Sequence, residues 1–167
     1  MGDVVESHGA IATYVAAAIL LAAEVGTLIG VAIPAAPILV ALGALSRHGH
    51  LDLPVAMAVA FAAALLGDTA GYWEGRVVGP RIRQTRLGKR IGPHRWLRAE
   101  RTLVRHGGAA VTVGRLIAVV RTLVPRLVGA AGLGYRQFLV CNAAGVALEV
   151  FGMILVGYLG GAALPDP

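Results

Sequence analysis

Between Ala10 and Leu45 the chain runs for 36 residues with one charge, Glu24, and with Pro34 and Pro37 inside the run. A straight helix of about 20 apolar residues crosses a bilayer, so this run is too long for one span and tight for two. Prolines within it fit a broken or re-entrant segment, which membranes tolerate only where protein or a water-filled cavity satisfies the freed backbone groups. The expectation is a helix from about Ile11, then a hairpin folding back near Ile33-Pro34-Ala35-Ala36-Pro37. Composition agrees with a bilayer as solvent. With 57% hydrophobic and 14% charged residues and a mean hydropathy of +0.73, a chain of 167 residues has too little polar surface to coat a soluble globule.

The net charge of +6 does not indicate nucleic acid, because it is concentrated. Ten of the 15 Lys and Arg lie between Arg76 and Arg105, against one acid, Glu100. This is the pattern of a cytoplasmic loop under the positive-inside rule. Cys141 is the only cysteine, so an intramolecular disulfide is excluded. The first ten residues hold Asp3 and Glu6 but no Lys or Arg, which lacks the basic region of a secretory signal, and the first apolar segment is expected to be retained.

Ser46 to Leu51 reads as a short polar loop, and Asp52 with Pro54 as the cap and first-turn proline of the next helix. His48 and His50 lack a third ligand and read as solvated loop residues. Val55 to Val78 is a continuous span whose second half carries Gly67, Gly71, Gly75 and Gly79 at four-residue spacing. Such a ladder lets another helix backbone come close, within one chain or between two copies. Asp68, Tyr72 and Arg76 form the adjoining stripe; Arg76 reads as an interfacial charge and Asp68, two turns deeper, as a functional one. Pro80 to His106 is the basic connector, with an amphipathic interfacial helix expected from Pro93.

After Gly107 and Gly108 comes an apolar stretch, Val113 to Gly134, that carries Arg115, Arg121 and Arg126 and is broken by Pro125, Gly129, Gly132 and Gly134. A guanidinium cannot discharge at working pH, and one near the bilayer centre costs about 3 kcal/mol on insertion scales, so these arginines need partners. The acids in apolar surroundings are Glu24, Asp68 and Glu149. The polar Tyr135-Arg136-Gln137-Phe138 follows, then a last span from Phe138 to about Leu159. Each half offers a proline-broken apolar hairpin, a polar turn, and a span ending in Gly-Tyr-x-x-Gly: Gly71-Tyr72 to Gly75, and Gly157-Tyr158 to Gly161. With the connector cytoplasmic, the first hairpin dips from outside and the second from inside, an inverted-topology repeat. The fold expected is therefore an all-α integral membrane protein in one domain. Residues 10–79 form its first half, 80–108 the amphipathic connector and 109–161 the second half.

Glu24 followed by IPAAPILVALGAL, then LLGDTAGYWEGRVVG, then GRLIAVVRTLVPRLVGAAGLGYRQF, then NAAGVALEVFGMILVGYLGG together resemble the DedA family of bacterial inner-membrane proteins. The resemblance spans about Glu24 to Gly161. It implies two re-entrant hairpins, shared with the related lipid scramblases of the endoplasmic reticulum, and a role in recycling undecaprenyl phosphate across the inner membrane. Glu24 falls on the family's first embedded acid, Asp68 on the acid of its Gly-Asp motif, and Arg115 and Arg121 on its two arginines six apart. Leu116 and Ala118 stand where that motif has phenylalanine and proline, and Ala35 and Ala36 where many members have an acid after the hairpin's Pro-Gly. Glu149 lies near a common tryptophan and is the candidate substitute for the missing acid.

On this reading Arg115 and Arg121 bind the phosphate of a polyprenyl lipid, since arginine forks meet phosphate oxygens in bidentate fashion. Six residues turn about 600° on one helix, so a break or a neighbouring segment must bring the two together. Glu24, Asp68 and Glu149 act as counter-ions or proton carriers, and Pro34, Pro37, Pro125 and Gly129 shape the hairpins. The expected partners are the anionic lipid, bulk membrane lipid and protons; no cofactor or metal is expected. The competing readings are a general phospholipid scramblase and a proton-coupled small-ion antiporter. An enzyme is not expected, because no Ser-His or Cys-His arrangement, metal-ligand cluster or P-loop accompanies the embedded charges.

Overall fold

The computed structural model describes residues 2–26, 35–84, 94 and 118–161. All five elements among them are helices: α1 (Gly2–Gly26), α2 (Ala35–Arg47), α3 (Leu53–Gln84), α4 (Ala118–Ala130) and α5 (Tyr135–Gly161). Among the described residues, α3, over Leu53–Arg81, and α5 are long and apolar enough to cross a bilayer. The described part of α2 and of α4 is 13 residues in each case. Pro34, Arg115 and most of the expected hairpin turn and connector helix lie outside the described residues.

Helix boundaries differ from the sequence expectation in physically informative ways. α1 starts at Gly2, not near Ile11, and Ser46 and Arg47 still belong to α2, where Ser46 Oγ donates to the Leu42 carbonyl at 2.8 Å. Pro37 lies in the first turn of α2, where a missing N–H costs no helical bond. Pro80 does not end α3, and Pro125 sits inside a continuous α4. The break after α4 is made by Gly132, whose φ is +82°. Tyr135 to Phe138 are the first turn of α5, not a loop before it. Asp52 does cap α3, its Oδ1 accepting the Val55 N–H at 2.9 Å.

α2 and α4 end alike. After α2, His50 N–H donates to Leu45 O at 3.1 Å and Gly49 N–H to Ser46 O at 3.3 Å, with Gly49 at φ +77°. After α4, Leu133 N–H donates to Val128 O at 3.3 Å and Gly132 N–H to Gly129 O at 3.1 Å. Both are Schellman caps, in which the left-handed glycine turns two orphan carbonyls into bonded ones.

The chain divides into two compact units, Met1–Gly67 with Ala147–Pro167, and Asp68–Val146. In the first, α2 lies on the C-terminal half of α5 through glycines. A Cβ on Gly43 would collide with the Ile154 carbonyl oxygen, and one on Gly157 with the Val40 carbonyl oxygen; Gly161 faces Ala44. In the second, α4 lies on the C-terminal half of α3. A Cβ on Gly129 would collide with the Tyr72 carbonyl oxygen, one on Gly75 with the Arg126 carbonyl oxygen, and Gly79 faces Ala130. The spacing is the same in both crossings: contacts 40/157 and 44/161 in one, 126/75 and 130/79 in the other. Both members of each pair advance by four, so the short helix and the span run the same way.

Two apolar stripes show where lipid is met. On α1, Ala17, Leu21 and Glu24 are buried while Ile11, Val15 and Ile19 are exposed. On α4, only Leu123 and Leu127, one turn apart, are exposed between Arg121 and Gly129. Polar side chains on α4 therefore point into protein.

Candidate functional site

Among the described residues, the charged side chains of Glu24, Asp68, Arg121 and Arg126 are buried, at 2%, 0%, 9% and 9% exposed. Glu24 lies near the end of α1, in the first unit, where Glu149 on α5 is half-buried. Asp68, Arg121 and Arg126 lie in the second unit.

Asp68 sits on α3 one turn before Tyr72. Asn142, on α5 and also fully buried, donates through Nδ2 to Asp68 Oδ2 at 2.7 Å. A carboxylate meeting an amide donor in a dry setting keeps one defined rotamer, and the amide gains an acceptor it needs. The stripe continues as a hydrogen-bonded series. Tyr72 donates its hydroxyl proton to the Leu133 carbonyl, just past the α4 cap, and accepts from Arg76 Nη1 at 3.2 Å. Arg76 also reaches the Leu133 carbonyl at 3.4 Å and is itself exposed. The Tyr72 ring stacks on Phe138 with centroids 4.8 Å apart, and Val124, Val128 and Leu133 complete this cluster. Thr69 and Tyr135 share a hydrogen bond at 3.3 Å beside it. Asp68 is thus held by a packed frame.

Arg126 depends on the glycine crossing. Because Gly75 lets the two backbones meet at Arg126, the neighbouring Glu74 comes within reach, and Arg126 Nε donates to Glu74 Oε2 at 2.8 Å. Its Nη1 donates to the Thr122 carbonyl at 2.7 Å, one turn back. Its Nη2 is buried with no hydrogen-bond partner among the described residues. The Glu74 side chain is 40% exposed, so this pair is anchored at the edge of the crossing rather than at its centre.

Of the residues singled out from sequence, Asp68 and Arg121 share one unit and Glu24 and Glu149 the other; Pro125 and Gly129 line α4, and Pro37 opens α2. Arg115 and Pro34 lie outside the described residues. Sequence reasoning missed Asn142 and the Arg126–Glu74 pair. Asn142 carried a usable signal, as the one side-chain amide between Phe138 and Leu159. Among the described residues no group of three or more His, Cys, Asp or Glu is placed to hold a metal.

The VTT domain model matches residues 33–159, which takes in α2, α3, α4 and all but the last two residues of α5. The chain belongs to the VTT-domain, or DedA, family. It is 30% identical over 141 residues to the inner membrane protein YqjA of Escherichia coli K12, covering 84% of this chain and 64% of that protein. To Protein DedA of the same strain it is 27% identical over 163 residues, 96% of this chain and 74% of the relative. An uncharacterized membrane protein of Mycobacterium bovis, Mb2670, is 34% identical over 141 residues, 81% of this chain and 64% of the relative. The chain therefore spans a little under two thirds of the length of YqjA. No solved structure matches it. Among the described residues this DedA-family membrane protein is built of helices, two of them long and apolar enough to cross a bilayer.

Proposed function

We propose that this DedA-family protein sits in the bacterial inner membrane and carries a polyprenyl phosphate such as undecaprenyl phosphate across it, coupled to protons. The observation that carries the reading is the burial of Glu24, Asp68 and Arg121 within apolar helices. Ionisable groups are expensive there and mark ion or substrate pathways. Arg115 and Arg121 supply the phosphate forks, while Glu24, Asp68 and Glu149 act as counter-ions that phosphate displaces or as groups that take up protons. Asn142 orients Asp68 for that role. The prenyl tail stays in lipid as the head passes.

The same reading takes α2 and α4 as the returning arms of two re-entrant hairpins of opposite orientation. Their matching Schellman caps and their matching glycine crossings support that arrangement. Each arm runs the same way as the span it lies on, as an arm returning to its own side of the membrane would.

Proteoliposomes loaded with labelled undecaprenyl phosphate test the proposal. Arg121→Gln, Arg115→Gln, Glu24→Gln and Asp68→Asn are each expected to lower lipid transfer at least tenfold with insertion intact. An antiporter instead would dissipate a pH gradient with only the acids required, and a general scramblase would move phosphatidylcholine equally well. A well-inserted Arg121→Ala protein with normal lipid transfer would refute the carrier.

A further inference from the structure

A guanidinium carries its N–H donors on one rigid plane, and the edge formed by Nε and Nη2 is spaced to meet two oxygens of a single carboxylate or phosphate. Arg126 uses only half of that edge. Its Nε donates to Glu74 Oε2 at 2.8 Å, while Nη2 is buried and makes no hydrogen bond among the described residues. The remaining nitrogen, Nη1, donates to the Thr122 carbonyl at 2.7 Å, one turn back on α4. That bond orients the plane, so the edge toward Glu74 is held in place.

A clamp between α3 and α4 does not call for this arrangement. Backbone contacts at Gly75 and Gly129 already join the two helices, and a carboxylate serving only as a clamp would seat both oxygens on the edge. Glu74 leaves charged N–H groups without an acceptor in buried surroundings, which costs more than it would for a neutral donor.

The two partners also differ in setting. The Arg126 side chain is 10% exposed and the Glu74 side chain 40%. Glu74 can swing outward and keep its hydration, whereas Arg126 stays inside the protein with its charge. The group that completes the edge is an anion with two oxygens on one centre. A phosphate monoester supplies them, and its second charge exceeds that of the carboxylate it replaces. The next residues in sequence, Leu127 after Arg126 and Trp73 before Glu74, are exposed large apolar side chains, which suits a phosphate attached to a lipid better than a free one. Arg121 lies five residues earlier on α4, about 7.5 Å along the helix and about 140° around it, so Arg126 is a separate position for the head.

We propose that Arg126 is a second phosphate-binding position, which exchanges Glu74 for the phosphate of a polyprenyl lipid and then holds it through both Nε and Nη2. That this lipid is a transported one rests on the carrier reading above; its binding at Arg126 does not. Thermal unfolding of the full chain in detergent, titrated with undecaprenyl phosphate, undecaprenol or inorganic phosphate, tests the binding. Undecaprenyl phosphate should raise the melting temperature, and undecaprenol, which lacks the anion, should not. Glu74→Gln keeps an acceptor for Nε but removes the competing charge, and should bind undecaprenyl phosphate about threefold tighter or more. The same tightening should persist in an Arg121→Gln background. Glu74→Gln/Arg126→Gln removes both charges together, so none is stranded, and should fold yet lose about tenfold in lipid affinity. Arg126→Lys, which still pairs with Glu74 but has no planar edge, is the second variant and should lose about as much. The proposal is overturned by the lack of a phosphate-dependent shift in the parent, by parental affinity in a folded double variant, by weaker binding in Glu74→Gln, or by an equal shift with inorganic phosphate. A parent that binds the lipid through Arg126 without transferring it in proteoliposomes refutes the carrier and leaves this position standing; transfer undiminished in the double variant does the reverse.

Discussion

Adding one methyl group at either end of the α3–α4 crossing separates two kinds of glycine. At Gly75 an alanine Cβ would strike the Arg126 carbonyl oxygen, and at Gly129 the Tyr72 carbonyl oxygen; backbone on backbone offers no flexible end to swing aside. Forcing the helices apart costs about 1–3 kcal/mol, against which alanine returns about 1 kcal/mol of helix propensity. Net destabilisation of about 0–2 kcal/mol is expected for Gly75→Ala or Gly129→Ala. At Gly152, on α5, an added Cβ meets nothing within 4 Å, so the propensity gain stands alone and Gly152→Ala should stabilise by up to about 1 kcal/mol. The two crossing glycines also share one displacement. Once the first methyl has parted the helices, the second needs little further movement, so the double variant Gly75→Ala/Gly129→Ala should cost clearly less than the sum of the singles. Thermal unfolding in detergent, followed by size-exclusion retention of a fluorescent fusion, reads each effect as a shift of about 2–4 °C per kcal/mol. Stabilisation by Gly75→Ala comparable to that of Gly152→Ala, or strict additivity in the double variant, would refute the close approach.

Asn142→Leu removes the donor to Asp68 and should cost about 1.5–3 kcal/mol, measured by unfolding, and should lower lipid transfer alongside; Asn142→Gln is not expected to restore it, because the longer amide overshoots a 2.7 Å contact. Tyr72→Phe keeps the stack on Phe138 but leaves the Leu133 carbonyl with only the 3.4 Å contact from Arg76, with an expected loss of about 1 kcal/mol. Gly132→Ala and Gly49→Ala force a side chain into the left-handed region and should each cost about 1–2 kcal/mol, visible as earlier hydrogen exchange at the ends of α4 and α2. Asp52→Ala should cost about 1 kcal/mol through loss of the α3 cap, with Asp52→Ser largely rescuing it.

The parts legible in sequence were those governed by local chemistry. Apolar length marked α3 and α5, Asp52 announced its cap, and the glycine ladder indicated a close helix approach, which Gly75 and Gly79 make against α4 in the same chain. Pro125 misled because its effect depends on tertiary setting: it stands inside α4, whose stability rests on packing against α3 more than on an unbroken ladder of bonds, while Pro37 stands in the first turn of α2. The end of α4 was set by Gly132 in a left-handed conformation, one of several glycines there that the sequence does not rank. Asp68 was recognised as embedded, yet Asn142, its donor, lies 74 positions away, and no local pattern joins them. The Arg126–Glu74 contact, 52 positions apart, was hidden for the same reason.

The two glycine crossings pair opposite ends of the polypeptide: α2 from the early sequence is seated on α5 from the late one, and α4 from the late sequence on α3 from the early one. Cleavage anywhere between Gln84 and Ala118 would leave fragments each holding one side of both seams. Neither fragment alone has a mate for its exposed glycine face, whereas the two synthesised together would supply every missing neighbour.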